Sequence, residues 1–274
     1  LDAHDQAALV RRGDVPPDAP VRASLDRIAA LNPALNAVSH VAADHALRAV
    51  ATMDRDAPMA GVPYLLKASM EYPGFPWVSR ACRDRLGRNR YPFAAAMDAA
   101  GLVPCGMSTM PEFGLIGSGE ALVYGPTHNP WDITRGGGGS SSGAAVAVAS
   151  GVVPFATGSD GGGSIRIPAS HCGIIGFKPS RNWNLRARAV SLIDDLLASD
   201  GLYGRSIRDT IWAAQTLRAQ KPGPVALTRP LRIAVSLSGI DGQMPEADIV
   251  KVIGQTAKLC VDRGHRVEPK ELPL

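Results

Sequence analysis

The chain has 274 residues, of which 45% are apolar and 20% are charged, so it is long and apolar enough to bury a sizeable core. Its net charge of +4 comes from 29 basic and 25 acidic residues, and no block of lysine and arginine carries interleaved aromatic residues. This composition excludes intrinsic disorder and argues against nucleic acid as a partner.

The cysteine spacing and the apolar stretches indicate where in the cell the protein is expected. Cys82, Cys105, Cys172 and Cys260 show no CxxC spacing, which favours reduced thiols and a cytoplasmic location. No charged-then-apolar leader opens the sequence, and the apolar stretch from Ala144 to Val153 is shorter than the roughly 20 residues that a membrane-spanning helix needs. We therefore expect no secretion signal and no membrane span.

Apolar residues that return every three or four positions predict a helical layer in residues 1–60. The predicted helices are Ala3 to Arg12, Pro20 to Ala30 and Asp44 to Met53. The apolar run from Val62 to Leu66 is typical of a buried strand, and it delivers Lys67 at its end.

Strands and helices then alternate, which predicts an α/β fold with helices on the faces of a sheet. A helix near Phe93 to Ala100 precedes a strand from Leu102 to Gly106. A helix of small residues, Ser141 to Ser150, and a strand, Val152 to Thr157, lie between two glycine clusters. Glycine gathers where the backbone closely approaches another group.

The last third of the chain has two predicted parts. Residues 180–199 show no periodicity, and Arg205 to Ala219 returns to a helical pattern. The proline-rich stretch from Gln220 to Pro230 is typical of a linker. A strand at Leu231 to Leu237, a helix at Glu246 to Arg263 and a strand starting at His265 follow. We expect one domain, with 61–219 as its core and 231–274 as the start of a C-terminal α/β part.

The most informative residues are Gly161-Gly162-Gly163-Ser164. A nucleotide-binding loop needs Lys-Ser or Lys-Thr after its last glycine, and a nucleophile elbow needs glycine where Arg166 stands, so both alternatives are disfavoured. Backbone without side chains can aim several N–H groups at one developing oxyanion. The run predicts a nucleophile, Ser164, beside an oxyanion hole made by these glycines.

A serine nucleophile needs a neighbouring base, and the residues alone leave two candidates. His171 would form a triad if Asp160 oriented its ring. Lys67 follows an apolar strand, and burial there would favour the neutral amine that can accept a proton. No His, Cys, Asp or Glu cluster has metal-ligand spacing, so we expect neither a metal nor another cofactor.

Six motifs in order and spacing resemble the amidase-signature hydrolases, from about Asp2 to the last residues. They are Gly61-Val-Pro-Tyr-Leu-Leu-Lys67, Pro111-Glu112-Phe113-Gly114, Asn129-Pro130-Trp131-Asp132, a Gly-Gly-Ser-Ser stretch at Ser140, Gly-Gly-Ser164-Ile-Arg-Ile-Pro and Gly176-Phe-Lys-Pro179. Within the family, the chain looks similar to bacterial amidases of the 6-aminohexanoate cyclic-dimer hydrolase type. The resemblance implies an α/β/α sandwich around a twisted, mixed, mostly parallel sheet.

The resemblance also assigns residue roles. It makes Lys67 the base, Ser140 a bridging serine after a cis peptide bond, and Ser164 the nucleophile 24 residues later. It makes Phe113, Gly114 and Leu115 candidates for the wall of the substrate pocket.

Three functions follow from it as hypotheses. The first is hydrolysis of a small-molecule amide through an acyl-enzyme; the second is the glutaminase subunit of a tRNA-dependent amidotransferase; the third is a non-catalytic scaffold. Family members are markedly longer than 274 residues, so the resemblance implies that a C-terminal part is absent here. A homodimer is left open as the assembly.

Overall fold

The computed structural model describes residues 1–76, 85–190, 196–219, 229–239 and 242–271. The chain divides into two compact units, Leu1–Lys221 and Pro222–Leu274. Among the described residues, the first unit has the α-helices α1 (Ala3–Arg12), α2 (Ala19–Leu35), α3 (Ala43–Thr52), α4 (Pro92–Ala99), α5 (Ser142–Ala149), α6 (Arg166–Cys172) and α7 (Ile207–Thr216) with both bounds defined.

The first unit also contains ten described strands, six of which form its central sheet. They are β1 (Val38–Val41), β2 (Val62–Lys67), β3 (Leu102–Ser108), β4 (Glu120–Ala121), β5 (Gly125–Pro126), β6 (His128–Asn129), β7 (Asp132–Gly136), β8 (Phe155–Asp160), β9 (Ile175–Phe177) and β10 (Ser199–Gly204). The remaining four pair as two short hairpins, β4 with β5 and β6 with β7.

The central sheet is mixed, with the order β1-β3-β2-β8-β10-β9. Strand β2 runs parallel to both of its neighbours, β3 and β8, whereas β1 and β10 are antiparallel to theirs. Because β9 is antiparallel to β10, four of the six strands point the same way. The predicted mixed, mostly parallel sheet is confirmed.

Helices cover both faces of this sheet. On strand β2, Leu65 packs with buried residues of α2, α3 and α5, while Tyr64 and Leu66, on either side of it, pack with residues of α1, α4 and α7. Adjacent residues of a strand point to opposite faces, so these contacts define two helical layers. This arrangement is the predicted α/β/α sandwich.

The N-terminal helices lie close to their predicted positions. Helix α1 is capped by Asp2, whose carboxylate accepts a hydrogen bond from the N–H of Asp5, and it ends before Gly13, which has φ +75°. Helix α2 continues five residues past the predicted end although it contains Pro33, because Leu35 is buried in the same cluster as Ile28. Burial of this apolar face outweighs the interruption by proline.

Helix α5 consists of small residues because it is buried and packs closely against other backbone. Every residue from 142 to 148 is buried. A Cβ atom on Gly143 would lie 2.1 Å from the carbonyl oxygen of Ala37, so the helix approaches backbone directly. The start of this helix is thereby held against the backbone of Ala37, just before β1, and of Thr109, just after β3.

Two of the differences between the predicted and the observed strands affect the site. Strand β8 begins three residues later than predicted, after Pro154, and therefore extends to Asp160. Strand β10 lies where no strand was predicted, because its Ser-Asp-Gly-Leu-Tyr-Gly sequence has the glycines of a turn. A Cβ atom on Gly201 would lie 2.1 Å from the carbonyl oxygen of Phe177, so close packing against β9 requires glycine.

The second unit is a β-α-β element, as predicted. Strands β11 (Arg232–Val235) and β12 (Arg266–Pro269) are parallel and are connected through helix α8 (Ala247–Asp262). Most of the predicted linker, residues 220–228, lies outside the described residues. No helix in the described part of the chain is long and apolar enough to cross a membrane.

Candidate active site

Lys67 ends strand β2 inside the protein, and only 1% of its surface is exposed. Its Nζ atom lies 2.7 Å from Ser140 Oγ and 2.9 Å from Ser159 Oγ. Its backbone N–H donates a hydrogen bond to Thr157 Oγ1 at 2.8 Å, which ties it to strand β8. The amine is therefore held between two serine hydroxyls.

Ser140 is placed by the glycines that precede it. The Gly139-Ser140 peptide bond is cis. A Cβ atom on Gly139 would lie 2.2 Å from the carbonyl oxygen of Ser118, and Gly138 has φ +76°, so neither position tolerates a side chain. The N–H of Ser141 donates to the carbonyl oxygen of Ser164 at 3.3 Å and connects the two glycine-rich loops.

A cavity of about 440 Å³ brings the three predicted catalytic residues together. Lys67, Ser140 and Ser164 all line it, as does Ser159. The carbonyl oxygen of Ser164 also accepts a hydrogen bond from the Tyr203 hydroxyl at 3.1 Å. The backbone of Ser164 is thus fixed while its side chain borders the cavity.

The loop that carries Ser164 is organised by Asp160. The Asp160 carboxylate accepts hydrogen bonds from the N–H groups of Gly163 at 2.8 Å and Ile165 at 3.0 Å. It also accepts two from the Arg166 guanidinium, at 2.9 and 2.8 Å. Burial alone would raise the pKa of Asp160, but these donors outweigh it and lower the pKa to about 2.

The predicted oxyanion donors divide into two groups. Gly161 and Gly162 line the cavity, and among the described residues neither N–H has a protein acceptor. Gly163 differs from them, since its N–H is used by Asp160 and it is not among the residues that line the cavity.

The predicted pocket residues Phe113, Gly114 and Leu115 also line the cavity. Phe113 has φ +55°, a left-handed conformation that a bulky residue rarely adopts, and 66% of its surface is exposed. Gly114 has φ +67°, and a Cβ atom there would lie 3.1 Å from Ser140 Oγ. This turn therefore lies directly beside Ser140.

Other apolar side chains extend this wall. They are Met110, Ile116, Ile167 and Leu197. A buried hydroxyl, Ser69 Oγ, has no hydrogen-bond partner among the described residues, and Ser69 also lines the cavity. The cavity thus combines an apolar entrance with a polar floor, as small-molecule sites commonly do.

The electrostatic environment favours an uncharged amine at Lys67. Burial, followed by the positive charge of Arg188, lowers the pKa of Lys67 from 10.5 to about 7. The carboxylates of Asp200 and Asp160 act in the opposite direction and are outweighed. At neutral pH a large fraction of Lys67 can therefore accept a proton.

The alternative base, His171, is not brought to the cavity. It lies in the last turn of α6, and its carbonyl oxygen accepts a hydrogen bond from the Asn129 side chain at 2.8 Å. Asp160, its candidate orienting residue, is instead engaged by Arg166. The arrangement required for a histidine triad is absent among the described residues.

Two site residues were missed by the sequence analysis. Ser159 shares a strand face with Thr157, two residues earlier, so correct strand limits would have shown that both face Lys67. Arg188 lines the cavity from an irregular segment, where no periodicity indicates which way a side chain points.

The likeness to known proteins extends over nearly the whole chain. The amidase family model matches residues 19–274. The chain belongs to the amidase family. It is 34% identical to a glutamyl-tRNA(Gln) amidotransferase subunit of Acidothermus cellulolyticus, over 99% of this chain and 58% of that protein. It is 35% identical to 6-aminohexanoate-cyclic-dimer hydrolase of Paenarthrobacter ureafaciens, over 81% of this chain and 46% of that protein.

A solved structure of an amidase-family relative shares the fold. A 6-aminohexanoate cyclic dimer hydrolase complexed with substrate superposes with a TM-score of 0.91 at 30% identity, covering 98% of this chain and 60% of that one. The predicted family resemblance, including its similarity to the cyclic-dimer hydrolases, is confirmed. The chain spans between 46% and 60% of the length of these relatives.

Proposed function

We propose that this chain hydrolyses a carboxamide C–N bond, with Ser164 as nucleophile, Ser140 as proton bridge and Lys67 as base. One observation carries the proposal: a fully buried lysine amine lies 2.7 Å from a serine hydroxyl on a cavity that Ser164 also lines. Membership of the amidase family supports cleavage of an amide bond.

Acylation proceeds as a proton relay. Neutral Lys67 accepts the proton of Ser140, which takes the proton of Ser164 as the Ser164 oxygen bonds to the amide carbon. The carbonyl oxygen becomes an oxyanion, and the N–H groups of Gly161 and Gly162 donate hydrogen bonds to it. When the C–N bond breaks, the proton returns through Ser140 to the leaving nitrogen, which departs as ammonia or an amine.

Deacylation repeats the relay with water. The water oxygen bonds to the carbonyl carbon of the acyl-enzyme while its proton passes to Ser140 and Lys67. The bond to Ser164 Oγ then breaks, the proton returns to that oxygen, and a carboxylic acid leaves. The hydrogen bond from Lys67 to Ser159 orients the amine through both steps.

The substrate proposed is a small-molecule amide with an apolar substituent. Phe113, Leu115, Ile167 and Leu197 supply apolar surface around the polar floor of the cavity. Such surface contributes to binding roughly in proportion to the area that it removes from water. A homodimer and a cytoplasmic location remain predictions.

A second candidate function is that of a glutaminase subunit in a tRNA-dependent amidotransferase. The identity to the amidotransferase subunit of Acidothermus cellulolyticus favours it. The apolar cavity wall argues for an amide less polar than glutamine as the substrate. The third hypothesis, a non-catalytic scaffold, does not account for a lysine amine kept between two hydroxyls.

The test is release of ammonia or amine from glutamine and from a series of primary and anilide amides with acyl chains of increasing length. We expect turnover to rise with chain length and to be lost in Ser164→Ala. The matched control is Ser150→Ala, because Ser150 follows α5 and does not line the cavity. Turnover of glutamine alone would favour the glutaminase, and full activity in Ser164→Ala would contradict the proposal.

A further inference from the structure

Arg188 is the permanently charged residue on the wall of the catalytic cavity, and no carboxylate lines this wall among the described residues. Its guanidinium donates to both carboxylate oxygens of Asp200, through Nη2 to Oδ1 and through Nε to Oδ2 at 3.2 Å. Only 19% of the Arg188 side chain and 14% of the Asp200 side chain are exposed. Water therefore screens this ion pair weakly.

The pair has a direction. Arg188 borders both the catalytic cavity and a neighbouring cavity of about 310 Å³, whereas Asp200 borders only the neighbouring one. The Arg188 cation thus lies on the side of the catalytic cavity, and the Asp200 carboxylate lies on the side of the neighbouring cavity. An oriented pair of this kind acts on the site as a dipole with its positive end inward.

Strand register connects the pair to the lysine. Asp200, on β10, is directly opposite Ser159 on β8, and the Ser159 hydroxyl lies 2.9 Å from Lys67 Nζ. Ser159 thus lies between Asp200, its partner on β10, and the Lys67 amine. Arg188 and Lys67 line the same cavity.

We propose that the Arg188–Asp200 pair is a positioning element that presents positive charge to Lys67 and thereby favours the uncharged amine that the relay requires. This inference rests on the proposed function. Arg188 is proposed to act on the reaction through the charge state of Lys67, so it is a positioning residue.

The other groups around Lys67 do not replace this effect. Strand β3 contributes Ser108 opposite Lys67, and strand β8 contributes Thr157 and Ser159, none of which is charged at neutral pH. Asp160, at the end of β8, is ion-paired with Arg166. Among the described residues, Arg188 and Asp200 are the pair of which only the cation borders the catalytic cavity, and the direction of the Lys67 pKa agrees with that orientation.

The two halves of the pair should act with opposite signs, which a purely structural role would not produce. Without the Arg188 cation, the remaining carboxylate favours the protonated lysine, so Lys67 should lose its proton at higher pH. Without the Asp200 carboxylate, the remaining cation disfavours the protonated lysine, so it should lose its proton at lower pH.

The experiment is the pH dependence of Ser164 labelling by a serine-directed fluorophosphonate, which needs the relay but no amide substrate. Relative to the wild-type midpoint, we expect Arg188→Met to raise the midpoint by about half a unit to one unit, and Asp200→Asn to lower it by a similar amount. At a fixed pH on the acid limb, such shifts change the labelling rate about three- to tenfold.

Four further variants serve as controls. Arg188→Lys retains the charge and should restore the wild-type midpoint. Arg188→Met combined with Asp200→Asn removes both charges of the pair together, so neither is left buried opposite a missing partner, and its midpoint should lie between those of the single variants. Arg135→Met and Asp132→Asn change the same charges in an exposed pair on β7 and should leave the midpoint unchanged.

Midpoints that move in the same direction, or that do not move while the plateau rate falls, would overturn the inference. Wild-type protein with no labelling of Ser164 at any pH would instead contradict the proposed function. The two failures are therefore distinguishable in one data set.

Discussion

The guanidinium of Arg166 and the carboxylate of Asp160 join through two hydrogen bonds of 2.9 and 2.8 Å, and the loop that they enclose carries Ser164. The same carboxylate accepts hydrogen bonds from the N–H groups of Gly163 and Ile165, the residues on either side of Ser164. The position of Ser164 therefore depends on the charge of Asp160. Arg166 anchors the loop, since its guanidinium is already paired and it does not line the cavity.

This dependence predicts how Asp160→Asn changes stability with pH. The pKa of Asp160 is lowered to about 2 in the folded protein from 3.8, so its stabilising contribution is complete above pH 4 and is lost as the pH falls through 2. We expect Asp160→Asn to lower the free energy of unfolding by about 2 kcal/mol at pH 7, and the difference from wild type to shrink near pH 2. Urea unfolding at both pH values measures this.

The control for that measurement is Asp132→Asn, on β7. Asp132 also pairs with an arginine, Arg135, but both side chains are exposed. Exposed pairs contribute little to stability, so the variant should unfold like the wild type. Equal effects of the two substitutions would contradict the role assigned to Asp160.

The turn at Gly114 gives a second prediction. An alanine there would place its Cβ atom 3.1 Å from Ser140 Oγ at a backbone φ of +67°, so the bridging hydroxyl or the turn has to move. We expect Gly114→Ala to lower kcat at least tenfold, with a smaller change in KM. Steady-state kinetics on the best amide of the series checks this.

Gly117→Ala is the matched control, because Gly117 lines the same cavity. Its added Cβ atom would meet only Ile167 Cδ1, at 3.6 Å, an ordinary van der Waals contact. Its kcat should stay within about twofold of wild type. If both variants lost the same activity, general crowding of the cavity would explain the result better than displacement of Ser140.

Burial of the Lys67 amine should lower the free energy of unfolding of the protein at neutral pH. Its folded pKa of about 7 lies below the ordinary value of 10.5, so between these values the unfolded chain binds more protons and stability rises with pH. Lys67→Met removes the need to bury an amine. We expect it to raise the free energy of unfolding at pH 7 by about 2 kcal/mol while it abolishes activity.

Denaturant unfolding at pH 7 and pH 10 tests this trade-off. The advantage of Lys67→Met should be largest at pH 7 and should shrink toward pH 10, where the unfolded chain also begins to lose the lysine proton. A variant less stable than wild type at pH 7 would show that the hydrogen bonds to Ser140 and Ser159 outweigh the cost of burial.

Much of this site follows from short sequence patterns. The apolar run before Lys67 indicated a buried strand, because continuous apolar residues are typical of a strand covered on both faces. The glycines before Ser164 indicated close backbone approach, because glycine has no side chain. Ser159 was missed because the strand limits were three residues too early, which changed the expected end of β8. The start of β8 was predicted too early because the apolar residues Val152 and Val153 continue the strand pattern through the turn before Pro154.

Other features depend on tertiary contacts. Strand β10 carries the glycines of a turn yet pairs with β8 and β9, because close packing against Phe177 excludes side chains. The left-handed conformation of Phe113 opposes the intrinsic preference of phenylalanine. Arg188 reaches the cavity from a segment without periodicity, so only the folded chain reveals its position.

The central claim is that a neutral lysine, rather than a histidine, activates Ser164. The most direct measurement compares amide turnover by Lys67→Arg and His171→Ala at pH 8. Because a guanidinium keeps its proton and cannot accept one from Ser140, Lys67→Arg should lose at least a hundredfold in kcat, whereas His171→Ala should stay within about twofold of wild type. An active arginine variant together with an inactive His171→Ala variant would contradict the relay and require a histidine-based triad.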